Sequence, residues 1–304
     1  MAENGGAHGA SGRASRLIPV SVAAAIVLAA VLVVALWPAG AHDAPPSGAQ
    51  VAKAGAVSAQ AAGYVPLSAQ QIALLPEARY DAVIPGLIAY SSAQVPAVSA
   101  QIFTISADIP IYDEARQPVA RFAFTNFAGR PTVIVPVIID GDWALVLTPA
   151  RRALPSRAGG AAPAQTVGWV RADSLHPAGK ATHRVVISVA RQTLTIEDLS
   201  GAVQQSFAVA VGAPGTPTPA GVTGYVEERY LDPQQGQSTY PIQLTSLHSS
   251  AQDEPFQGED GGLIGMHFYP SHVGTISHGC IRLSAEAVVA VGALPLGTSV
   301  TILP

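Results

Sequence analysis

The chain has 304 residues, of which 49% are hydrophobic and only 12% are charged. The formal net charge is −4 and the pI is about 6.0. This balance gives no electrostatic footprint for nucleic acid, so we expect no nucleic-acid partner. A single cysteine excludes an intrachain disulfide and a multi-cysteine zinc or iron–sulfur site. The length allows two modest domains.

An apolar segment near the N-terminus, residues 17–37, predicts a transmembrane anchor. It is uncharged, and about 20 apolar residues suffice to cross the hydrocarbon core. Arg13 and Arg16 precede it, so residues 1–16 are predicted to be cytoplasmic and the rest of the chain to lie outside the membrane. A cleaved signal peptide is the alternative, because Ala-Gly-Ala at 39–41 fits a cleavage site. Either interpretation places the rest of the chain outside the cell membrane.

Two segments of different composition follow the apolar segment. Residues 38–63 are rich in Ala, Gly, Ser and Pro, which predicts a flexible linker. Residues 64–179 contain short runs of Val, Ile, Phe and Trp separated by turn formers, which predicts a small all-β domain. The pairing of GDWALVLTP with TVGWVRADSL resembles a bacterial SH3-like module. A short helix is expected within residues 68–90.

A third unit, residues 183–304, is predicted to be mostly β. Hydrophobic residues alternate along HRVVISVARQTLTIEDLSGAVQQSFAVAVG, with DLSGA as a turn, which favours two hairpins. The only helical pattern is residues 284–295, with Ser284 as N-cap and Glu286 in the first turn. We therefore expect a β-rich domain with one short helix.

The only cysteine, Cys280, lies in the stretch TISHGCIRLS. A buried apolar cysteine is the simplest interpretation, since cysteine is among the most buried residue types. Its neighbours indicate a reactive thiol instead. Three histidines closely precede it, His267, His272 and His278, and Arg282 follows it. A thiol becomes nucleophilic when a histidine accepts its proton and positive charge favours the thiolate.

The residues around the thiol also provide the other parts that acyl transfer requires. An extended backbone over 280–283 would direct Cys280 and Arg282 to the same side. Gly279 permits close approach of the backbone to a substrate. The amides of Gly279 and Cys280 would face a developing oxyanion. A nucleophile, a base, oxyanion donors and a cation together predict an acyl-transfer site.

A zinc site is the rival hypothesis, with His267, His272, His278 and Cys280 as four ligands. No zinc spacing rule fits well, because His278 and Cys280 are only two residues apart. We therefore expect neither a metal nor another cofactor.

The motif SHGCIRL, with IGMH upstream, resembles the signature of the L,D-transpeptidase catalytic domain. That family's pattern is a His, a spacer, then Ser/Thr-His-Gly-Cys and, two residues on, Asn or Arg. VGAPGTPTPAGV is similar to the family's Pro/Gly turn, and HRVVISVARQTLTIED to its opening hairpin. The resemblance covers residues 183–304. It implies a β-rich fold in which a cysteine attacks peptidoglycan stem peptides.

The resemblance also implies roles for the residues that match the motif. Cys280 would be the nucleophile and His267 the general base and acid. His278 would shape the site and help to hold the thiolate. His272 is the alternative base.

Substrate contacts are implied in the same way. The amides of Gly279 and Cys280 would form the oxyanion hole, and Arg282 would bind and orient the substrate. Ser277 is predicted to contact the substrate as well. His248 lies where similar proteins line the cleft, and a solvated loop histidine is the alternative.

The implied reaction is a 3→3 peptidoglycan cross-link that passes through a cysteine thioester. The partners would be a donor tetrapeptide stem and an acceptor amine, and carbapenem-type β-lactams would inhibit the enzyme. Two alternatives stay open: an L,D-carboxypeptidase, in which water resolves the acyl-enzyme, and an inactive cell-wall-binding scaffold.

Overall fold

The computed structural model describes residues 64–91, 98–252 and 262–304. These residues belong to one compact unit, Ala62–Pro304. The predicted cytoplasmic N-terminus, membrane anchor and linker lie outside the described residues. None of the helices within the described ranges has both the length and the apolar character needed to cross a membrane.

The N-terminal β region, residues 64–180, consists of short strands, as its sequence texture predicts. Five of its strands form a sheet in the order β4-β3-β7-β6-β5, β1 pairs with β7, and β2 pairs with β8. The elements are α1 Ala69–Ala73, β1 Ile88–Ala89, β2 Gln101–Thr104, β3 Ile109–Tyr112, β4 Pro118–Phe122, β5 Pro136–Asp140, β6 Trp143–Thr148, β7 Thr166–Arg171 and β8 His176–Lys180. The expected helix within 68–90 is thus a single five-residue turn. The SH3-like character of this region stays a prediction.

The C-terminal region, residues 183–304, is built on a ten-stranded sheet within the described part of the chain. Its strand order is β11-β10-β9-β18-β13-β14-β15-β17-β12-β16. The elements are β9 His183–Ser188, β10 Thr193–Asp198, β11 Val203–Ala208, β12 Ala210–Gly212, β13 Val222–Asp232, β14 Gln237–His248, β15 Leu263–Phe268, β16 Gly274–Ser277, β17 Ile281–Leu283, α2 Ala285–Gly292 and β18 Ser299–Leu303. The prediction of a mostly β domain is confirmed.

Local sequence signals account for the first strands and for the helix. Val185 and Ile187 on β9 are fully buried, because alternate residues of a strand point to one face. Strands β9, β10 and β11 pair as consecutive antiparallel neighbours, which confirms the two hairpins. Ser284 caps α2 by accepting a hydrogen bond from the Ala287 amide at 3.2 Å, and Glu286 lies in the first turn.

The two regions share buried contacts along β13. The Tyr225 side chain is 1% exposed and packs among apolar side chains of the N-terminal β region. The carboxylate of Glu228 is completely buried. It accepts hydrogen bonds from Asn126 Nδ2 at 2.6 Å and from Arg130 Nε at 2.9 Å. A buried carboxylate needs such partners, because an unpaired buried charge is strongly destabilising. These contacts anchor β13 against the N-terminal β region.

A second buried carboxyl on β13, that of Glu227, has a different environment. Its Oε2 atom has no hydrogen-bond partner among the described residues. Burial, with a smaller contribution from the negative charge of Asp81, raises the pKa of Glu227 to about 8. The native protein therefore holds this carboxyl protonated at neutral pH.

This raised pKa predicts a stability that declines with increasing pH. An unfolded Glu has a pKa of about 4.3, so above it the unfolded chain releases a proton that the native protein retains. The free energy of unfolding therefore falls until the pH passes the native pKa. Glu227→Gln cannot ionise, and we expect it to remove the decline and stabilise the protein at pH 7 by about 1–3 kcal/mol. Urea unfolding at pH 5 and at pH 8 measures the effect.

Glu286→Gln is the matched control, because Glu286 is an exposed carboxylate on the first turn of α2. It should leave the pH dependence of the unfolding free energy as in the wild type. A Glu227→Gln protein with an unaltered pH dependence would contradict the buried, protonated state of this side chain.

Candidate active site

A cavity of about 430 Å³ lies where strands β13, β14 and β15 meet the start of β17. Its floor is apolar, and its polar groups come from the strand ends and from the cysteine. The lining residues are Tyr230, Gln235, Ile242, Leu244, Leu263, Gly265, His267 and Cys280.

Strand pairing places the predicted base and nucleophile in this cavity. On β15 the alternating residues Leu263, Gly265 and His267 line the cavity, because alternate side chains of a strand share a face. Strand β15 pairs in parallel with β17, with Met266 opposite Ile281. Cys280 directly precedes Ile281 and so lies beside the strand that carries the imidazole.

The His267 imidazole is held by the backbone of its neighbour. Its Nδ1 lies 3.0 Å from the carbonyl oxygen of Phe268, and this contact is a hydrogen bond only if Nδ1 carries the proton. In the neutral ring Nε2 is then the unprotonated nitrogen and can accept a proton. Gln237 Nε2 also donates to the Phe268 carbonyl, at 3.0 Å. Gln237 Nε2 also lies 3.4 Å from Nδ1, but the shorter contact with the Phe268 carbonyl favours a proton on Nδ1, the tautomer in which Nε2 can act as a general base.

The surroundings of His267 favour its neutral form. Burial lowers the pKa of the ring, and the positive charge of Arg282 lowers it further, while the hydrogen bond to the Phe268 carbonyl acts in the opposite direction. A lowered pKa keeps the imidazole unprotonated at neutral pH. His267 can therefore take a proton from a nearby thiol.

Cys280 is half-buried and lines the cavity, so its sulfur is not sealed in the core. Its Sγ lies 3.4 Å from the carbonyl oxygen of Leu263, to which the thiol donates. The simplest interpretation of a lone cysteine, an apolar residue inside the core, is therefore wrong for this chain.

Hydrogen bonds within residues 277–280 hold the segment that precedes the cysteine. Ser277 is 1% exposed, and its hydroxyl donates to the Cys280 carbonyl at 2.5 Å. The same hydroxyl accepts the Gly279 amide at 3.3 Å. Ser277 was predicted to contact the substrate, but the structure uses its hydroxyl to brace the loop. The Gly279 amide, predicted to belong to the oxyanion hole, is likewise engaged within the loop.

The other two histidines near the cysteine in the sequence, His272 and His278, lie apart from the cavity lining. His278 is exposed. His272 Nδ1 lies 3.2 Å from the carbonyl oxygen of Tyr269 and 3.0 Å from that of Pro270, so this ring is bonded to its own loop. Among the described residues no group of three or more His, Cys, Asp or Glu side chains could hold a metal ion. The rival four-ligand zinc site is not formed.

Arg282 acts on the site from its edge. It lies opposite His267 on the neighbouring strand, and its guanidinium is 4.1 Å from the centroid of the Tyr269 ring. This stacking favours one orientation of the cation. The arginine is thus close enough to influence His267, but it is not part of the cavity lining described above.

His248 is neither a cleft residue nor a solvated loop residue. It ends β14 with 2% exposure, and its Nε2 donates to the Tyr80 carbonyl at 2.8 Å. Burial and the charge of Arg151 lower the pKa of His248 to about 3, so the ring is neutral. The predicted role of His248 in the substrate cleft is therefore replaced by a contact with the N-terminal β region.

Three residues that line or adjoin the cavity were missed by the sequence motifs. Tyr230 and Gln235 line the cavity, and Gln237 supports the carbonyl that orients His267. Burial raises the pKa of Tyr230, so its hydroxyl stays protonated and can donate a hydrogen bond. All three belong to the β13–β14 hairpin, and the alternating pattern of that hairpin was the only signal available in the sequence.

A half-buried thiol, an imidazole fixed in one tautomer and a nearby guanidinium are the groups of a thiol-based acyl-transfer site. Residues 182–302 match the family model YkuD, described as the L,D-transpeptidase catalytic domain. This match confirms, for these residues, the resemblance predicted from the motifs.

Solved structures to which the chain is similar include three L,D-transpeptidases. An L,D-transpeptidase from Mycobacterium tuberculosis H37Rv is 15% identical, covering 53% of this chain and 90% of the other, with a TM-score of 0.32. The catalytic domain of an Enterococcus faecium L,D-transpeptidase is 20% identical, covering 40% and 96%, with a TM-score of 0.28. L,D-transpeptidase 3 from Mycobacterium tuberculosis, in complex with a faropenem-derived adduct, is 16% identical, covering 53% and 91%, with a TM-score of 0.30. No curated protein matches the chain.

The environment of His267 predicts a measurable titration. In ¹³C-histidine-labelled protein we expect its ring to titrate below the ordinary value of about 6.5. Arg282→Gln removes the nearby positive charge and should raise this pKa. The value should stay below the ordinary one, because burial remains. NMR titration, with the signal assigned by His267→Gln, measures both proteins.

Arg191→Gln is the control, since Arg191 is an exposed arginine in the β9–β10 turn. It should not move the His267 titration. If Arg282→Gln leaves the His267 pKa where it is in the wild type, the proposed electrostatic influence of the guanidinium is wrong.

Proposed function

We propose that this protein is a cysteine-dependent L,D-transpeptidase that forms 3→3 cross-links between peptidoglycan stem peptides. The observation that carries the proposal is the shared cavity of Cys280 and His267, within a region that matches the L,D-transpeptidase catalytic domain. The cysteine is the nucleophile and the histidine the general base and acid.

The first step forms the acyl-enzyme. His267 Nε2 takes the thiol proton, and the Cys280 sulfur attacks the carbonyl carbon of the third residue of the donor stem. The tetrahedral intermediate collapses as the bond from that carbon to the D-alanine nitrogen breaks. The imidazolium returns its proton to the leaving amine. The products are a thioester on Cys280 and free D-alanine.

The second step transfers the acyl group. The side-chain amine of an acceptor stem attacks the thioester carbonyl, and His267 takes a proton from the attacking nitrogen. The carbon–sulfur bond then breaks, and the thiol regains a proton. One amide bond is lost and another is formed, so the cross-link requires neither a nucleotide nor a metal. Effective transfer depends on positioning the acceptor, which the cavity walls provide.

The cavity walls suit a peptide with a polar backbone and an apolar side. Ile242 and Leu244 of β14 are almost fully buried and form part of the apolar floor. Tyr230 and Gln235 add side chains that can hydrogen-bond to a peptide. This combination of an apolar surface with a few directed polar groups is typical of ligand sites.

The location that we propose agrees with this substrate. The anchor predicted from residues 17–37 would hold the domain on the outer side of the cell membrane, where peptidoglycan is assembled. In this proposal the chain crosses the membrane once, and the flexible linker predicted over 38–63 would let the domain reach its substrate.

Acylation by a carbapenem tests the nucleophile. The full-length protein incubated with a carbapenem is expected to gain the mass of one inhibitor molecule, because the β-lactam carbonyl acylates a reactive thiol. Cys280→Ala should form no adduct, and His267→Gln should acylate at least about 100-fold more slowly, since general base catalysis contributes roughly 10² to 10⁴-fold. Intact-protein mass spectrometry over time measures both the mass and the rate.

His272→Gln separates the two candidate bases. Because its ring is bonded to the carbonyls of its own loop, the substitution should leave the acylation rate near that of the wild type. A wild-type protein that gains no mass would favour the scaffold alternative. A larger loss for His272→Gln than for His267→Gln would reverse the assignment of the base.

Products formed from a tetrapeptide muropeptide distinguish transfer from hydrolysis. Supplied as the only substrate, it can act as donor and acceptor, and the transpeptidase is expected to give a cross-linked dimer with one D-alanine released per dimer. A carboxypeptidase would give tripeptide and D-alanine without dimer. Liquid chromatography with mass spectrometry counts the three products, and Cys280→Ala provides the blank.

A further inference from the structure

The Pro/Gly loop at residues 212–218 holds the segment that precedes the nucleophile. Thr216 Oγ1 donates to the carbonyl oxygen of Ser277 at 2.9 Å. Thr218 Oγ1 donates to the carbonyl oxygen of Gly279 at 2.7 Å. Both threonines are buried, with 8% and 4% exposure. Each hydroxyl therefore meets a backbone carbonyl in a place that is nearly closed to solvent.

These two contacts fix the direction of two peptide planes. In a planar trans peptide the N–H points opposite to the C=O of the preceding residue. The carbonyl of Ser277 accepts from Thr216 Oγ1 and also from the Ala213 amide, at 2.8 Å, and these bonds turn the His278 amide away from the loop. Tying the carbonyl of Gly279 to Thr218 turns the Cys280 amide in the same general direction. The intervening Gly279 amide is used by the Ser277 hydroxyl, 3.3 Å away.

The backbone around these contacts leaves no space for larger residues. Gly279 has a φ of 105°, which L side chains rarely adopt. A Cβ there would lie 3.1 Å from Ile264 Cδ1. A Cβ on Gly212 would lie within 2.3 Å of backbone atoms of Thr216 and Thr218, and the Gly212 amide donates to Thr218 Oγ1 at 2.9 Å. The loop is thus built around the threonine hydroxyls.

We propose that Thr216 and Thr218 are positioning residues that set the peptide planes 277–278 and 279–280 and so direct the amides of His278 and Cys280 at the oxyanion. This inference rests on the proposed acyl-transfer function. It assigns the threonine hydroxyls no contact with the substrate. Their effect is confined to the step in which negative charge develops on the carbonyl oxygen.

Two reagents separate this role from a general structural one. Acylation of Cys280 by a carbapenem passes through an oxyanion, whereas alkylation by iodoacetamide forms the carbon–sulfur bond with iodide as the leaving group and has no oxyanion. Thr218→Val keeps the shape of the side chain and removes the hydroxyl. It should lower the acylation rate about 10- to 100-fold, which is less than the roughly 10²- to 10³-fold cost of losing an oxyanion donor outright, because the amide is displaced and not removed. The alkylation rate should stay within about two-fold of the wild type, because that reaction has no oxyanion.

Further variants complete the design in the full-length protein. Thr218→Ser retains a hydroxyl and should restore the acylation rate. Thr216→Val should lower the acylation rate less than Thr218→Val, because the Ala213 amide still donates to the Ser277 carbonyl, at 2.8 Å. Thr223→Val is the matched control, because it also removes a buried hydroxyl, one that pairs with Thr301 at 3.0 Å between β13 and β18. It should alter neither rate.

Each remaining outcome decides against a particular statement. Equal losses in acylation and alkylation for Thr218→Val would show that the hydroxyl only supports the loop, and the positioning role would be wrong. A Thr218→Val protein that is acylated at the wild-type rate would overturn the positioning role directly. A wild-type protein that is alkylated but never acylated contradicts the proposed function and, with it, the positioning role. Wild-type acylation combined with an unaffected Thr218→Val contradicts the positioning role alone.

Discussion

Strands β15 and β17 pair in parallel, and the chemistry of the cavity depends on this pairing. One strand carries His267 toward the cavity, and the other begins one residue after Cys280. Met266 and Ile281, opposite each other, are both completely buried, so the core fixes the register. A slip by one residue would turn the imidazole into the core and Met266 into the cavity. Packing on one face of the sheet thus determines the position of the base on the other.

The N-terminal β region contributes to the same cavity through the β13–β14 hairpin. Glu228 is bonded to Asn126 and Arg130 of that region. Two residues along β13, the Tyr230 ring packs edge-on against Phe127, with ring centroids 5.8 Å apart. Side chains on one face of this strand segment are therefore set by contacts with the N-terminal β region. The N-terminal β region thus helps to hold the strand that brings Tyr230 to the cavity.

Local sequence signals predicted the parts of the structure that local interactions determine. The helix after Ser284 and the β9–β10–β11 hairpins follow from capping, turn residues and alternation. The motif also predicted the Cys280 and His267 pair. Tyr230 and Gln237 could not be predicted in this way, because the β13–β14 pairing contains two register shifts that no local pattern reveals. His248 is buried for a similar reason, since its partner, the Tyr80 carbonyl, lies far away in the sequence.

The burial that favours a neutral His267 also buries polar atoms beside it, which costs folding stability. Gln237 Oε1 is buried without a partner among the described residues, although the amide nitrogen of the same side chain supports the Phe268 carbonyl. Buried polar atoms of this kind are rare in native proteins and cost stability. Gly279 adds a backbone conformation that few residues adopt. Because both features adjoin the thiol and the imidazole, they are explained more readily by a requirement for a fixed site geometry than by stability.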